Sequence, residues 1–132
     1  MADAGPRILV VEDHPLIAEL VETRLRIEGM QPVVCSGGRE ALARLAAEHF
    51  DAMVLDVMMP DLDGLEVLRH VRATPATAAL PVVVLTARSA PADVEQALDA
   101  GADQYVTKPF SGLDLVRRLR ACLRREGPGA SG

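Results

Sequence analysis

The chain has 132 residues, 49% of them apolar, which suits one domain with its own core. Its formal charge of −5, from 14 basic against 19 acidic residues, sets a field that repels nucleic acid and anionic membranes. Two cysteines, Cys35 and Cys122, without CxxC spacing argue against a zinc site or a disulfide scaffold, and no apolar run is long enough to span a bilayer.

The first residues, MADAGPR, lack the apolar stretch of a signal peptide. A soluble, cytoplasmic protein is expected, with no membrane contact and no direct nucleic-acid binding. Residues 1–6 are expected to be a disordered start and residues 127–132 a disordered tail, leaving 7–126 as the folded unit. Aromatic residues are scarce (Phe50, Tyr105 and Phe110), so the core must be built from Val, Leu, Ile, Met and Ala.

Ile8-Leu9-Val10-Val11 reads as a strand buried on both faces. Pro15 suits the first turn of the helix that follows, Ile17, Leu20, Val21 and Leu25 give its apolar stripe, and Gly29 closes it. Val33-Val34-Cys35 is a second strand. Ser36-Gly37-Gly38 opens a second helix with Ala41, Leu42, Leu45 and Ala46 on its apolar side. Ala52–Leu55 is a third strand running into Asp56, and Leu65, Leu68 and Val71 mark a third helix. Pro81–Leu85 is the strongest strand and ends at Thr86. Val94, Ala97 and Leu98 mark a short fourth helix stopped by Gly101. Tyr105-Val106-Thr107 is the fifth strand. The last helix starts at Ser111, whose spacing to Asp114 resembles a capping box, with Val116, Leu119 and Leu123 facing inward and helix extending to about Glu126.

Strands alternating with helices predict an α/β fold, a parallel sheet covered on both faces. Such sheets bind ligands beyond the carboxyl ends of their strands. Here those ends carry Glu12 and Asp13, then Asp56, Thr86 and Lys108-Pro109. Like charges about 4 Å apart repel by roughly 4 kcal/mol per pair at an effective dielectric near 20. A hard divalent cation relieves that repulsion, and carboxylates with a backbone carbonyl and waters suit Mg²⁺. Asp56 can then act as a nucleophile that forms an acyl phosphate, with Lys108 neutralising a phosphoryl oxygen. Glu12 and Asp13 are also placed to cap the first helix. His14, His49 and His70 have no ligand spacing and are read as surface residues.

The segments ILVVED (Ile8–Asp13), MVLDVMMPDLDG (Met53–Gly64), VVVLTA (Val82–Ala87) and GADQYVTKPF (Gly101–Phe110), in this order and spacing, resemble the receiver domain of bacterial two-component response regulators. The resemblance implies a single doubly wound five-stranded sheet in the order 2-1-3-4-5, flanked by five helices. It implies Asp56 as phosphoacceptor. It implies direct Mg²⁺ ligation by Asp13, Asp56 and the backbone carbonyl of Met58, with Glu12 acting mainly through a metal-bound water. Thr86, Lys108 and the backbone amide of Ala87 would contact the phosphoryl group, and Thr86 and Tyr105 would form the switch. It further implies a cis Lys108-Pro109 bond, and a protein that assists its own phosphorylation and dephosphorylation rather than an enzyme.

The implied partners are a sensor histidine kinase or a histidine phosphotransfer protein, and a downstream target or an output domain outside this chain. A weak homodimer through helix 4, strand 5 and helix 5 would use Asp103 and Arg118, although Gln104 replaces the usual acid there. Two other readings fit less well. A haloacid dehalogenase-like phosphatase needs an acid where Met58 stands. A flavodoxin-like FMN carrier needs a phosphate-cradling loop where Glu12-Asp13-His14-Pro15 stands.

Overall fold

The aliphatic runs form five parallel strands in a computed structural model that describes residues 5–124: β1 Arg7–Val11, β2 Gln31–Cys35, β3 Ala52–Leu55, β4 Val82–Thr86 and β5 Gln104–Thr107. Between and after them lie α1 Pro15–Ile27, α2 Gly38–Ala47, α3 Gly64–Ala73, α4 Pro91–Ala100 and α5 Gly112–Arg124. The sheet order is β2-β1-β3-β4-β5, as the family resemblance implied. Most of the expected disordered start, the whole expected tail and the last expected residues of the fifth helix lie outside the described residues. Gly5 and Pro6 are tied to the edge strand: the Gln31 side-chain amide donates to the Gly5 carbonyl at 3.0 Å and the Gln31 N–H donates to the Pro6 carbonyl at 2.8 Å.

The two-residue period of the strands divides the core into two halves. Leu9, Val11, Met53, Leu55, Val82 and Val84 pack on Ala41 of α2, on Leu65, Val67, Leu68 and Val71 of α3 and on Ala97 of α4. The alternate residues Ile8, Val10, Ala52, Val54, Val83 and Leu85 pack on Val21 and Leu25 of α1 and on Leu115, Val116, Leu119 and Cys122 of α5. The central strands are therefore almost entirely buried, which holds their carboxyl ends at fixed positions.

Some sequence expectations shift. In α1 the inward stripe is Ala18, Val21 and Leu25, while Leu20 is 62% exposed and lines up with exposed Leu16 and Ile27. Leu98 of α4 also faces solvent, as does Ala46 of α2. Gly29, at φ 83°, ends α1, with the Met30 N–H reaching back to the Leu25 carbonyl at 2.9 Å. Ser111 Oγ accepts the Asp114 N–H at 3.3 Å, half of the expected box, but the Asp114 carboxylate turns away to Arg118 at 3.0 Å.

Arg72, at the end of α3, ties three segments together. Its guanidinium donates to the Gly101 carbonyl at 2.7 and 3.0 Å, to the Leu80 carbonyl at 2.6 Å, and to Asp103 Oδ2 at 3.0 Å. Asp103 Oδ2 also accepts the Val82 N–H at 2.8 Å.

Candidate functional site

Parallel pairing brings the chemistry to one sheet edge. Val11 of β1 sits opposite Leu55 of β3, so Glu12 and Asp56 follow side by side. Thr86 sits opposite Thr107, so Lys108 follows one residue on. The ladder continues into these residues: the Asp56 N–H donates to the Val11 carbonyl at 3.0 Å, the Glu12 N–H to the Cys35 carbonyl at 3.0 Å and the Lys108 N–H to the Thr86 carbonyl at 2.8 Å. The strand order reverses between β1 and β3, which is where such sheets place their ligands.

Among the described residues, the buried polar and charged ones are Glu12, Asp56 and Thr86, and all three are at this edge. Carboxylate oxygens of Glu12, Asp13 and Asp56 all lie within 4.8 Å of one another. Lys108 Nζ donates to Asp56 Oδ2 at 3.0 Å and stands 2.9 Å from Glu12 Oε1. Both contacts are ion pairs, and Glu12 is buried against the ammonium. The Met58 N–H donates to Asp56 Oδ1 at 2.9 Å, while the Met58 side chain is exposed.

The charges respond to this crowding. Burial pushes the Glu12 carboxyl above its ordinary value, outweighing Lys108 and the His14 amide, which donates to Glu12 Oε2 at 3.1 Å. For Lys108, burial pulls downward, but the adjacent Glu12 and Asp56 outweigh it and hold the ammonium above the ordinary lysine range. Three acids against one ammonium leave two negative charges uncompensated when all are ionised. An oxygen-only donor set and that charge deficit fit a hydrated Mg²⁺ ion.

Thr86 is fully buried, and its Oγ1 accepts the Arg88 N–H at 3.4 Å. Ala87, between them, is exposed. Tyr105 is half-buried against the α2–α3 half of the core, and its hydroxyl donates to the Arg88 carbonyl at 2.7 Å. Its hydroxyl is held above the ordinary tyrosine value, first by burial and then by the charge of Asp93. Tyr105 thus stands apart from the acid cluster and meets Thr86 through the backbone of Arg88. The Lys108–Pro109 bond is cis.

The capping role allowed for Asp13 is not observed: His14 is the N-cap residue of α1 and makes no side-chain cap bond. Glu12 instead accepts the His14 amide, because a buried carboxylate two residues back reaches it. All three histidines are exposed. Asp103 and Arg118, offered to a second copy in the sequence reading, have partners within the chain: Arg72 for Asp103, Asp114 and Gln104 for Arg118. Arg72 has no assigned role in the sequence; its partners lie far along the chain or are backbone atoms, which leave no local pattern.

A doubly wound 2-1-3-4-5 sheet with an acidic cluster and a lysine beyond its carboxyl strand ends defines a parallel α/β module with a polar pocket suited to a cation. Residues 8–120 match the response regulator receiver domain, and the chain belongs to that family. It is 46% identical over 127 residues to the probable transcriptional regulatory protein TcrX of Mycobacterium tuberculosis, covering 96% of this chain and 53% of that protein. It is 48% identical over 122 residues to the response regulator MprA of Mycolicibacterium vanbaalenii, covering 92% of this chain and 52% of that protein. The chain therefore spans about half the length of these curated relatives.

Among solved structures, the receiver domain of the Francisella response regulator 1452 superposes with a TM-score of 0.88 at 32% identity, covering 93% of this chain and all (100%) of that one. The receiver domain of the sensor histidine kinase PA1611 of Pseudomonas aeruginosa PAO1, which has a magnesium ion coordinated in its active-site cleft, superposes with a TM-score of 0.85 at 33% identity, covering 91% of this chain and 98% of that one. As a receiver, the chain is a phosphoacceptor switch of a two-component system. No helix among the described residues is long and apolar enough to cross a membrane.

Proposed function

We propose that Asp56 is the phosphoacceptor, and that Glu12, Asp13, Asp56 and the Met58 carbonyl hold Mg²⁺ beside it. The observation that carries this reading is the burial of Glu12, Asp56 and Thr86 around the Lys108 ammonium, a costly arrangement that the fold alone does not need. When bound, the ion supplies positive charge against the carboxylates and the incoming phosphoryl oxygens.

The residues of the chain supply the rest. An Asp56 carboxylate oxygen forms a bond to phosphorus as the phosphorus–nitrogen bond of a phosphohistidine breaks, and the imidazole keeps the electron pair and takes a proton. Lys108, already beside Asp56, neutralises a phosphoryl oxygen, and the Ala87 N–H and the Thr86 hydroxyl donate to the others. The donor is a sensor histidine kinase or a histidine phosphotransfer protein. An apolar groove between α1 and the start of α5, lined by Leu16, Leu20, Ile27, Lys108 and Pro109, gives such a donor a surface continuous with the pocket.

Phosphorylation then draws Thr86 toward the new oxygens, which removes the acceptor of the Arg88 N–H and frees the Tyr105 hydroxyl to follow. Moving a 1:99 equilibrium to 99:1 takes about 5.5 kcal/mol, and charge-assisted hydrogen bonds contribute about 1.5–3 kcal/mol each, so two or three contacts suffice. The changed surface lies on α4, β5 and α5. It acts on an output domain or a separate target, and a weak homodimer on that face would need Asp103 and Arg118 to leave their present partners. The chain assists its own phosphorylation and dephosphorylation rather than turning over a substrate, and it works in the cytoplasm, with Cys35 and Cys122 both buried.

Intact mass after incubation with Mg²⁺ and acetyl phosphate tests the reading. A gain of one phosphoryl group is expected, lost in Asp56→Asn and in the presence of a chelator. A gain that persists in Asp56→Asn would place the acceptor elsewhere.

A further inference from the structure

Helix α2 opens on Ser36-Gly37-Gly38, and its N-cap residue Gly37 has no side chain to receive the first amides. The acceptor comes from the β3–α3 loop. Asp61 Oδ1 accepts the Gly38 N–H at 3.1 Å, and Asp61 Oδ2 accepts the Arg39 N–H at 3.1 Å. These two amides, Arg39 first, hold the Asp61 carboxyl below the usual carboxylate range. The close approach depends on both glycines. A Cβ on Gly37 would stand 2.9 Å from each Asp61 oxygen, and one on Gly38 would stand 2.7 Å from Val67 Cγ2 and 3.0 Å from Leu62 Cβ.

Asp61 belongs to the segment that leaves Asp56 and carries the rim of the pocket. The start of that segment is fixed by the Met58 N–H on Asp56, and its end by the Gly64 N–H on the Val57 carbonyl at 3.1 Å and the Leu65 N–H on Asp63 at 2.9 Å. Between those anchors Met58, Pro60 and Asp61 are exposed, and Met59 and Leu62 are only partly buried against the core. The Asp61 carboxylate is a polar tie that joins this stretch to α2.

We propose that Asp61 is a positioning residue for the acidic pocket: by capping α2 across the loop it fixes the backbone from Val57 to Pro60, and with it the Met58 amide and carbonyl. The proposal rests on the reading of Asp56 as the phosphoacceptor. Asp61 acts through the backbone, as outer partners of metal ligands do. Coupling is reciprocal, so Mg²⁺ in the pocket slows hydrogen exchange at the Gly38 and Arg39 amides.

The test compares Asp61→Ala, Asp61→Asn and Arg7→Ala in the full chain. Arg7 pairs with Glu48 at the opposite end of the strands and serves as a control for lost stability. Mg²⁺ affinity is read from melting shifts, and amide exchange at Met58 is read without metal. Asp61→Ala should weaken Mg²⁺ binding about tenfold and speed Met58 exchange. Asp61→Asn, neutral and with one acceptor oxygen for two amides, should recover part of both, which separates the cap from the lost charge. Arg7→Ala should lower the melting temperature and leave Mg²⁺ affinity unchanged. Wild-type affinity in Asp61→Ala with unaltered Met58 exchange would overturn the inference, as would an Asn variant as weak as the Ala variant. A wild-type chain that binds no Mg²⁺ would instead remove the pocket reading and this inference with it.

Discussion

The Tyr105 hydroxyl donates to the carbonyl of Arg88 at 2.7 Å, and the amide of that same Arg88 donates to Thr86 Oγ1 at 3.4 Å. One residue of backbone thus joins the two side chains proposed as the switch. Tyr105 is the single tyrosine in a chain without tryptophan, so its fluorescence reports on that link alone. Mg²⁺ with acetyl phosphate should change Tyr105 emission, and Thr86→Ala should abolish the change while phosphorylation persists. An unchanged response in Thr86→Ala would uncouple the two residues. Tyr105→Phe should cost only about 0.5–1.5 kcal/mol, since one partly exposed hydrogen bond is lost.

Lys108 pairs with two buried carboxylates at once. Lys108→Met should destabilise the metal-free protein by about 2–4 kcal/mol, because breaking a buried pair leaves charge without compensation. Mg²⁺ should restore most of that loss and bind more tightly than in the wild type, while phosphorylation slows. Melting curves with and without Mg²⁺ check both. A variant as stable as wild type without metal would mean that the two carboxylates are solvated in solution.

The raised carboxyl of Glu12 gives a pH signature with a definite sign. A group whose folded value is raised contributes stability that is full below the unfolded value and is lost as pH rises through the folded value. Metal-free wild type should therefore lose stability relative to Glu12→Gln as pH rises through the glutamate range and above it. Glu48 and Asp61, both held low, act in the opposite sense in the wild type and the variant alike, so the difference isolates Glu12. In alkali, Lys108 and Tyr105, both raised, should each remove stability as pH climbs through their folded values.

Asp13 is exposed and caps nothing, yet its carboxylate lies in the acid cluster. Asp13→Ala should abolish the Mg²⁺-dependent rise in melting temperature, which by mass action is worth about 2.7 kcal/mol at one hundred times the dissociation constant. Without metal the variant should be slightly more stable, by less than about 1 kcal/mol, because a repelling charge is gone. A lower metal-free melting temperature would give Asp13 a structural role.

A Cβ on Gly64 would overlap the Val57 Cα and the Asp56 carbonyl, backbone atoms that cannot step aside. Gly64→Ala should cost roughly 1–3 kcal/mol and displace the residues that follow Asp56. Slower phosphorylation by acetyl phosphate at a temperature well below melting checks the second effect.

Glu12, Asp56, Thr86 and Lys108 were legible as a group because buried parallel strands announce their ends, and the residues after those ends must share an edge. Two kinds of feature were hidden. Ile17, Leu20 and Val21 give α1 adjacent apolar stripes, and periodicity does not say which one faces inward; only packing against the sheet selects Val21 over Leu20. The ties of Arg72 to Asp103 and of Asp61 to Gly38 join residues 31 and 23 positions apart, with nothing local to mark them. Asp103 looked available to a second molecule only because Arg72 could not be placed beside it.

The Arg72 guanidinium holds the carbonyl of Gly101, the residue that ends α4, through two hydrogen bonds. At the other end, α4 starts from Ala90 with no side-chain cap, two residues beyond the Arg88 carbonyl that Tyr105 holds. A helix riveted at one end and tethered by its approach at the other is a lever. The proposed rearrangement of Thr86 and Tyr105 would therefore move Pro91 and Asp93 most, with Gly101 held by Arg72.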